Sequence, residues 1–129
     1  QRGLPLQPRA SEVSRSSELF ATLYDKYGKD FNWYMIPPEH EGRAFVVELN
    51  KEIGHDHFLY GKKVCAVAKC ESNDDVLFVA ENEIEQGSYY IVHLTYSAHN
   101  TDGFPRYEEL ADINQVKEFI ERSYIENHI

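Results

Sequence analysis

His93 is the residue best placed for proton transfer. It stands in the run Ser88–Ser97 (SYYIVHLTYS), where strand alternation groups it with Tyr89, Ile91, Thr95 and Ser97. An imidazole among hydroxyl groups can serve as a general acid or base. No serine or cysteine stands beside it in a context such as G-x-S-x-G, and a hydrogen-bonded structural histidine is the simpler reading. The segment after it, Ser97–Tyr107 (SAHNTDGFPRY), is long and polar. It offers His99, Asp102 and Arg106 as companions to His93 in a small hydrolase or transferase. It reads equally as a crossover pinned to the core by Phe104 and Pro105.

A second constellation is Gly54-His55-Asp56-His57, close to Glu52. Two imidazoles flanking a carboxylate are divalent-metal ligand types. A metal needs three or four ligands from convergent elements, and only His55 and His57 are local. The expectation is a solvated helix exit, with no metal and no other cofactor.

The third is acidic: Asp74-Asp75, Glu81-Asn82-Glu83, Glu85 and Glu108-Glu109. Paired carboxylates can bind cations or exchange protons, although acids in turns more often cap and solvate them. Their clustering is expected to make one sheet edge negative, with Asp74, Asp75, Glu81, Glu83 and Glu85 facing a basic protein partner. The whole chain leans the same way. Its 13 Lys and Arg against 22 Asp and Glu give a net charge of -9. That charge repels phosphate backbones and anionic lipid, so neither a nucleic-acid nor a membrane partner is expected. Walker loops, G-x-G-x-x-G turns, H-E-x-x-H and paired C-x-x-C motifs are absent.

The elements that must position these residues can be read from periodicity. At 129 residues the chain fits one domain able to bury its own core. Residues 1–10 read as a flexible arm, and 11–129 as a single α+β domain. A helix is expected from Ser11 to Tyr27, capped by Ser11 or Ser14, with Leu19, Phe20, Leu23, Tyr24 and Tyr27 on its apolar face and Gly28 ending it. Asp30–Ile36 is an aromatic connector. Pro37 and Pro38 open a second helix with the stripe Phe45, Val46, Leu49 and Ile53, stopped at Gly54. Strands are expected at 63–70, 75–80 and 88–97, followed by a loop over 98–111. A last helix starts at Asp112, whose spacing to Gln115 is that of a capping box. The predicted fold is therefore a three-stranded antiparallel meander, order ααβββα, with helices on one face and Tyr90, Val92, Leu94 and Tyr96 in the core.

Cys65 and Cys70 lie five steps apart in one predicted strand. Those steps span roughly 16 Å, and a disulfide needs less than about 7 Å between Cα atoms. Reduced thiols in a cytoplasmic protein are expected. There is no apolar run of membrane-spanning length and no signal-peptide h-region.

From Trp33 onward, about two-thirds of the chain resembles a family of small, stand-alone bacterial proteins. The motifs are IPP at Ile36–Pro38, LYGKKV at Leu59–Val64, NDDVLF at Asn73–Phe78, VHLTY at Val92–Tyr96 and GFPRY at Gly103–Tyr107. Family members often carry Trp where Tyr96 stands. The resemblance implies a cytosolic bacterial protein with no assigned activity, so it transfers no catalytic residue. The leading functional expectation is a non-catalytic protein-binding module of immunity or inhibitor type. The alternative is the small enzyme centred on His93.

Overall fold

The computed structural model describes residues 8–37, 39–80, 89–96 and 105–127, with side chains for all of these except 8–15 and 127. It is an α+β fold. Helix α1 (Pro8–Tyr27) and a 3-10 turn (Gly28–Asp30) lead into strand β1 (Trp33–Met35). Helix α2 (His40–Glu52) precedes β2 (Val64–Cys70), β3 (Asp75–Ala80), β4 (Tyr89–His93) and β5 (Tyr107–Leu110), and α3 (Ile113–Asn127) closes the chain. The sheet has five strands in the order β1-β2-β3-β4-β5, every neighbouring pair antiparallel.

The predicted three-strand meander is thus the centre of a wider sheet. The aromatic connector supplies β1, and the end of the predicted 98–111 loop supplies β5. Neither is legible from propensity. β1 is three residues long, and β5 reads YEEL, with two glutamates that disfavour strands. Both form because β2 and β4 present open edges for pairing.

The expectation of helices on one face is also corrected. One core lies under α1 and α3, where Leu19, Phe20, Leu23, Val116 and Ile120 meet Trp33, Val67, Leu77, Val79, Tyr89 and Ile91. A second lies under α2 and the segment after it, where Leu49, Ile53 and Leu59 meet Val64, Ala66, Val76, Phe78, Tyr90 and Val92. Central strands covered on both sides explain the unbroken apolar run DVLFVA. They also remove the hydroxyl-lined face expected beside His93, because Tyr89 and Ile91 are as buried as Tyr90 and Val92.

β2 serves both cores through a bulge. Ala66 pairs with Phe78 but Ala68 pairs with Leu77, so Val67 is an extra residue. Before it, even-numbered Val64 and Ala66 face α2; after it, Ala68 and Cys70 face α1 and α3.

Element ends show what local chemistry decides. α1 begins at Pro8, earlier than the predicted Ser11, where a proline suits a first turn. It ends as expected at Gly28, whose φ of 73° favours glycine. α2 begins at His40, with Gly42 N donating to Pro37 O at 3.0 Å. A Cβ at Gly42 would lie 3.3 Å from that oxygen, so glycine permits the close entry. The helix stops because Ile53 turns extended, one residue before Gly54. β4 ends at His93 rather than Ser97. Leu94 N turns to Asp74 O, and Tyr96 adopts a left-handed φ of 54°. The capping box at α3 forms: Gln115 N donates to Asp112 Oδ1 and Ala111 N donates to Gln115 Oε1, both at 2.9 Å.

Cys65 and Cys70 are free thiols, and burial pushes the Cys70 thiol up, away from the reactive thiolate. No helix among the described residues is long and apolar enough to cross a membrane.

Candidate functional site

The β3–β4 register places Asp75 directly opposite His93. The His93 Nδ1 and Asp75 Oδ1 atoms are 2.9 Å apart. Half of the imidazole remains open to solvent, while Asp75 is largely covered. With Nδ1–H donating to the carboxylate, Nε2 is left as a proton acceptor. His93 N also donates to Arg106 O at 2.9 Å, which puts Arg106 across from it at the start of β5. Of the predicted catalytic group, the fold thus sets the Arg106 backbone beside His93, and it adds Asp75, which the sequence had assigned to a binding face. His99 and Asp102 lie outside the described residues.

His57 is committed structurally. Its Nδ1 accepts from Leu59 N at 3.1 Å, so its Nε2–H donates to Pro105 O at 2.8 Å. With both nitrogens engaged, His57 has no lone pair for a metal. His55 instead packs its ring against Tyr60, 4.9 Å between centroids. Among the described residues, no three His, Cys, Asp or Glu side chains converge as metal ligands.

These histidines belong to an exposed aromatic surface that periodicity did not reveal. Phe58 and Tyr107 stack with centroids 5.4 Å apart and planes within 7°. Tyr107 sits beside His57, Phe58 leans on Tyr90, and the Lys62 ammonium lies 5.0 Å from the Phe58 ring. Phe58 and Tyr60 are about half exposed, at 46% and 52%. The register Val92↔Tyr107 and Tyr90↔Glu109 sets Tyr107 and Glu109 on the α2 side, and Glu108 on the other. Rings from the 54–62 segment therefore meet an acidic edge strand. The available sequence signal was HFLY, an aromatic run with no buried periodicity.

The predicted acidic residues divide. Asp74 is exposed and Asp75 is held by His93 at the first end of β3. Glu81, Glu83 and Glu85 lie outside the described residues.

Glu52 was named beside the histidines, but its pairing with Glu48 on α2 was missed. Glu52 is only 4% exposed. Its Oε1 accepts from Thr95 N at 2.7 Å and Thr95 Oγ1 at 2.9 Å, and its Oε2 accepts from Tyr96 N at 2.7 Å. One helical turn earlier, Glu48 Oε2 is buried with no donor in reach among the described residues. A side-chain hydrogen bond with Glu52, together with burial, raises the Glu48 pKa against the pull of Lys51, whose Nζ lies 3.3 Å from Glu48 Oε1. Burial alone would raise Glu52, but hydrogen bonds from Glu48, Thr95 and Tyr96 outweigh it and hold Glu52 below the ordinary range. The legible signal was two acids four apart bordering an apolar stripe, a like-charge spacing that is unfavourable unless one is neutral.

Compared with known proteins, the chain matches no family model, no curated protein and no solved structure.

Proposed function

We propose that this chain is a non-catalytic binding protein of immunity or inhibitor type, acting in the cytoplasm on a basic protein partner. The observation that carries the reading is the exposed Phe58–Tyr107 stack with Tyr60, set against Glu108 and Glu109. Solvent-exposed aromatic clusters mark recognition surfaces, and rings supply most of the energy at interface centres. The net charge of -9 adds long-range attraction for a basic partner. The free thiols suit a reducing compartment. The test is affinity capture with the immobilised protein beside a Phe58→Ala/Tyr107→Ala variant. A basic protein should be retained by the first, released by salt, and lost from the second. Equal retention by both would remove the aromatic surface from the reading.

A second reading rests on the His93–Asp75 contact at 2.9 Å. Asp75 would orient the imidazole, and Nε2 would accept a proton from a water or hydroxyl nucleophile. Turnover of ester or phosphoester substrates by the wild type, abolished in His93→Gln with folding intact, would transfer the function to this pair.

A further inference from the structure

A five-stranded open sheet has two outer edges, and this one treats them differently. In the β1–β2 ladder, Glu71 N donates to Asn32 O and Ile36 N to Val67 O. Alternation then turns the N–H and C=O of Trp33 and Met35 outward. The outward carbonyl of Trp33 is already taken: the Tyr24 hydroxyl of α1 donates to it at 2.6 Å. On the opposite side, the His93 N to Arg106 O bond sets the phase of the β4–β5 ladder. Arg106, Glu108 and Leu110 turn their backbone groups inward, so those of Tyr107 and Glu109 face out. Among the described residues no strand pairs with that side of β5. Among the described residues, one edge is plugged by a helix and the other is left unpaired.

Resting on the basic-partner reading, we propose that β5 is the docking strand, and that the partner adds an extended arginine-bearing segment to it. Backbone pairing to Tyr107 and Glu109 provides the register, as in other strand additions. Side chains provide the selection. An antiparallel segment sets its successive residues opposite Glu109, Glu108 and Tyr107. The two acids call for arginine or lysine, and Tyr107, backed by Phe58, calls for an apolar residue. The order Arg-Arg-aliphatic satisfies all three. A second copy of this chain fits poorly. The self-pairing that bonds Tyr107 of each copy to Glu109 of the other sets Glu108 against Glu108, and like charges directly opposite destabilise a pair.

The test uses the isotope-labelled full chain and a capped Thr-Arg-Arg-Val-Thr peptide, read by chemical shift and amide hydrogen exchange. Salt-dependent binding should slow exchange at Tyr107 and Glu109. The double variant Glu108→Lys/Glu109→Lys should weaken binding at least about tenfold, while Glu118→Lys/Glu126→Lys, the same charge change on exposed α3 positions, should leave it within about twofold. Binding that leaves both amides unchanged, or that both double variants weaken alike, would overturn strand addition and leave a basic partner standing. No binding, together with no basic protein captured, would overturn both. Slow Tyr107 and Glu109 amides in a dimer of the free chain would assign the edge to a second copy and refute the proposal.

Discussion

Replacing Glu52 with Gln tests the junction between α2 and the end of β4. The wild-type carboxylate takes three short hydrogen bonds in a site only 4% exposed. Glutamine keeps one oxygen for Thr95 but sets an amide N–H against Tyr96 N–H. One charge-assisted bond, worth about 1.5–3 kcal/mol, is lost, and the other two fall to neutral strength. Relief from burying a charge offsets part of this. The net cost is about 2–3 kcal/mol, which lowers the melting midpoint of a domain this size by about 8–12 °C. Circular dichroism melts and urea titration at neutral pH read it directly. A drop under about 2 °C would refute the assignment of these bonds as the anchor of the 94–96 turn.

The pair also sets a pH dependence. The Glu52 pKa is depressed in the fold, so its contribution is present above the ordinary glutamate value of 4.5 and is lost as pH falls through the folded value. The Glu48 pKa is raised, so its contribution is present below that same value of 4.5 and is lost as pH rises through the folded one. Glu48→Gln supplies an N–H to Glu52 at every pH, so its stability relative to the wild type should rise as pH rises above the ordinary glutamate value; parallel urea titrations at acidic and neutral pH check this. Ser16→Ala should stabilise by about 0.5–1 kcal/mol, because the hydroxyl is fully buried with no partner among the described residues; a thermal melt decides it. Tyr96→Gly should be neutral or stabilising and Tyr96→Val should cost about 2 kcal/mol, since the φ of 54° strains a β-branched residue most; equal midpoints would count against strain there. Tyr27→Phe removes a hydroxyl that donates to Glu121 at 2.7 Å between α1 and α3, and a urea midpoint should register about 1 kcal/mol.

The class, the three helices and the three central strands were legible because each carries a strong period or a recognisable cap. Asp112 and Gln115 announce α3, and DVLFVA announces a covered strand. The flanking strands were not, because YEEL and WYM hold no alternating pattern and exist only by pairing. The same limit hid the sites. His93 could be singled out, but its partner Asp75 lies 18 positions away and only register joins them. Glu52 was read only as a neighbour of His55 and His57, because nothing in its own helix shows that Thr95 and Tyr96 bring their N–H groups to it. His57 was expected to be merely solvated because its two partners, Leu59 N and Pro105 O, are backbone atoms without a side-chain signature.

β2 carries one residue more than its partner, and that residue is the one it can lose. Excising Val67 would restore strict alternation with every other residue on its present side, Val64 and Ala66 toward α2, Ala68 and Cys70 toward α1 and α3. Lys69 would stay on the α2 side, where its ammonium bonds to Cys70 O and Asn73 O at 2.9 Å. The loss is confined to the Val67 side chain in the core under α1 and α3 and to the extra twist that a bulge adds. In a library of single-residue deletions across β2, removal of Lys69 should be worse tolerated than removal of Val67, because it turns Cys70 to the other face. The bulge thus leaves the strand a spare step: one length change in this strand can be absorbed without exchanging its two cores.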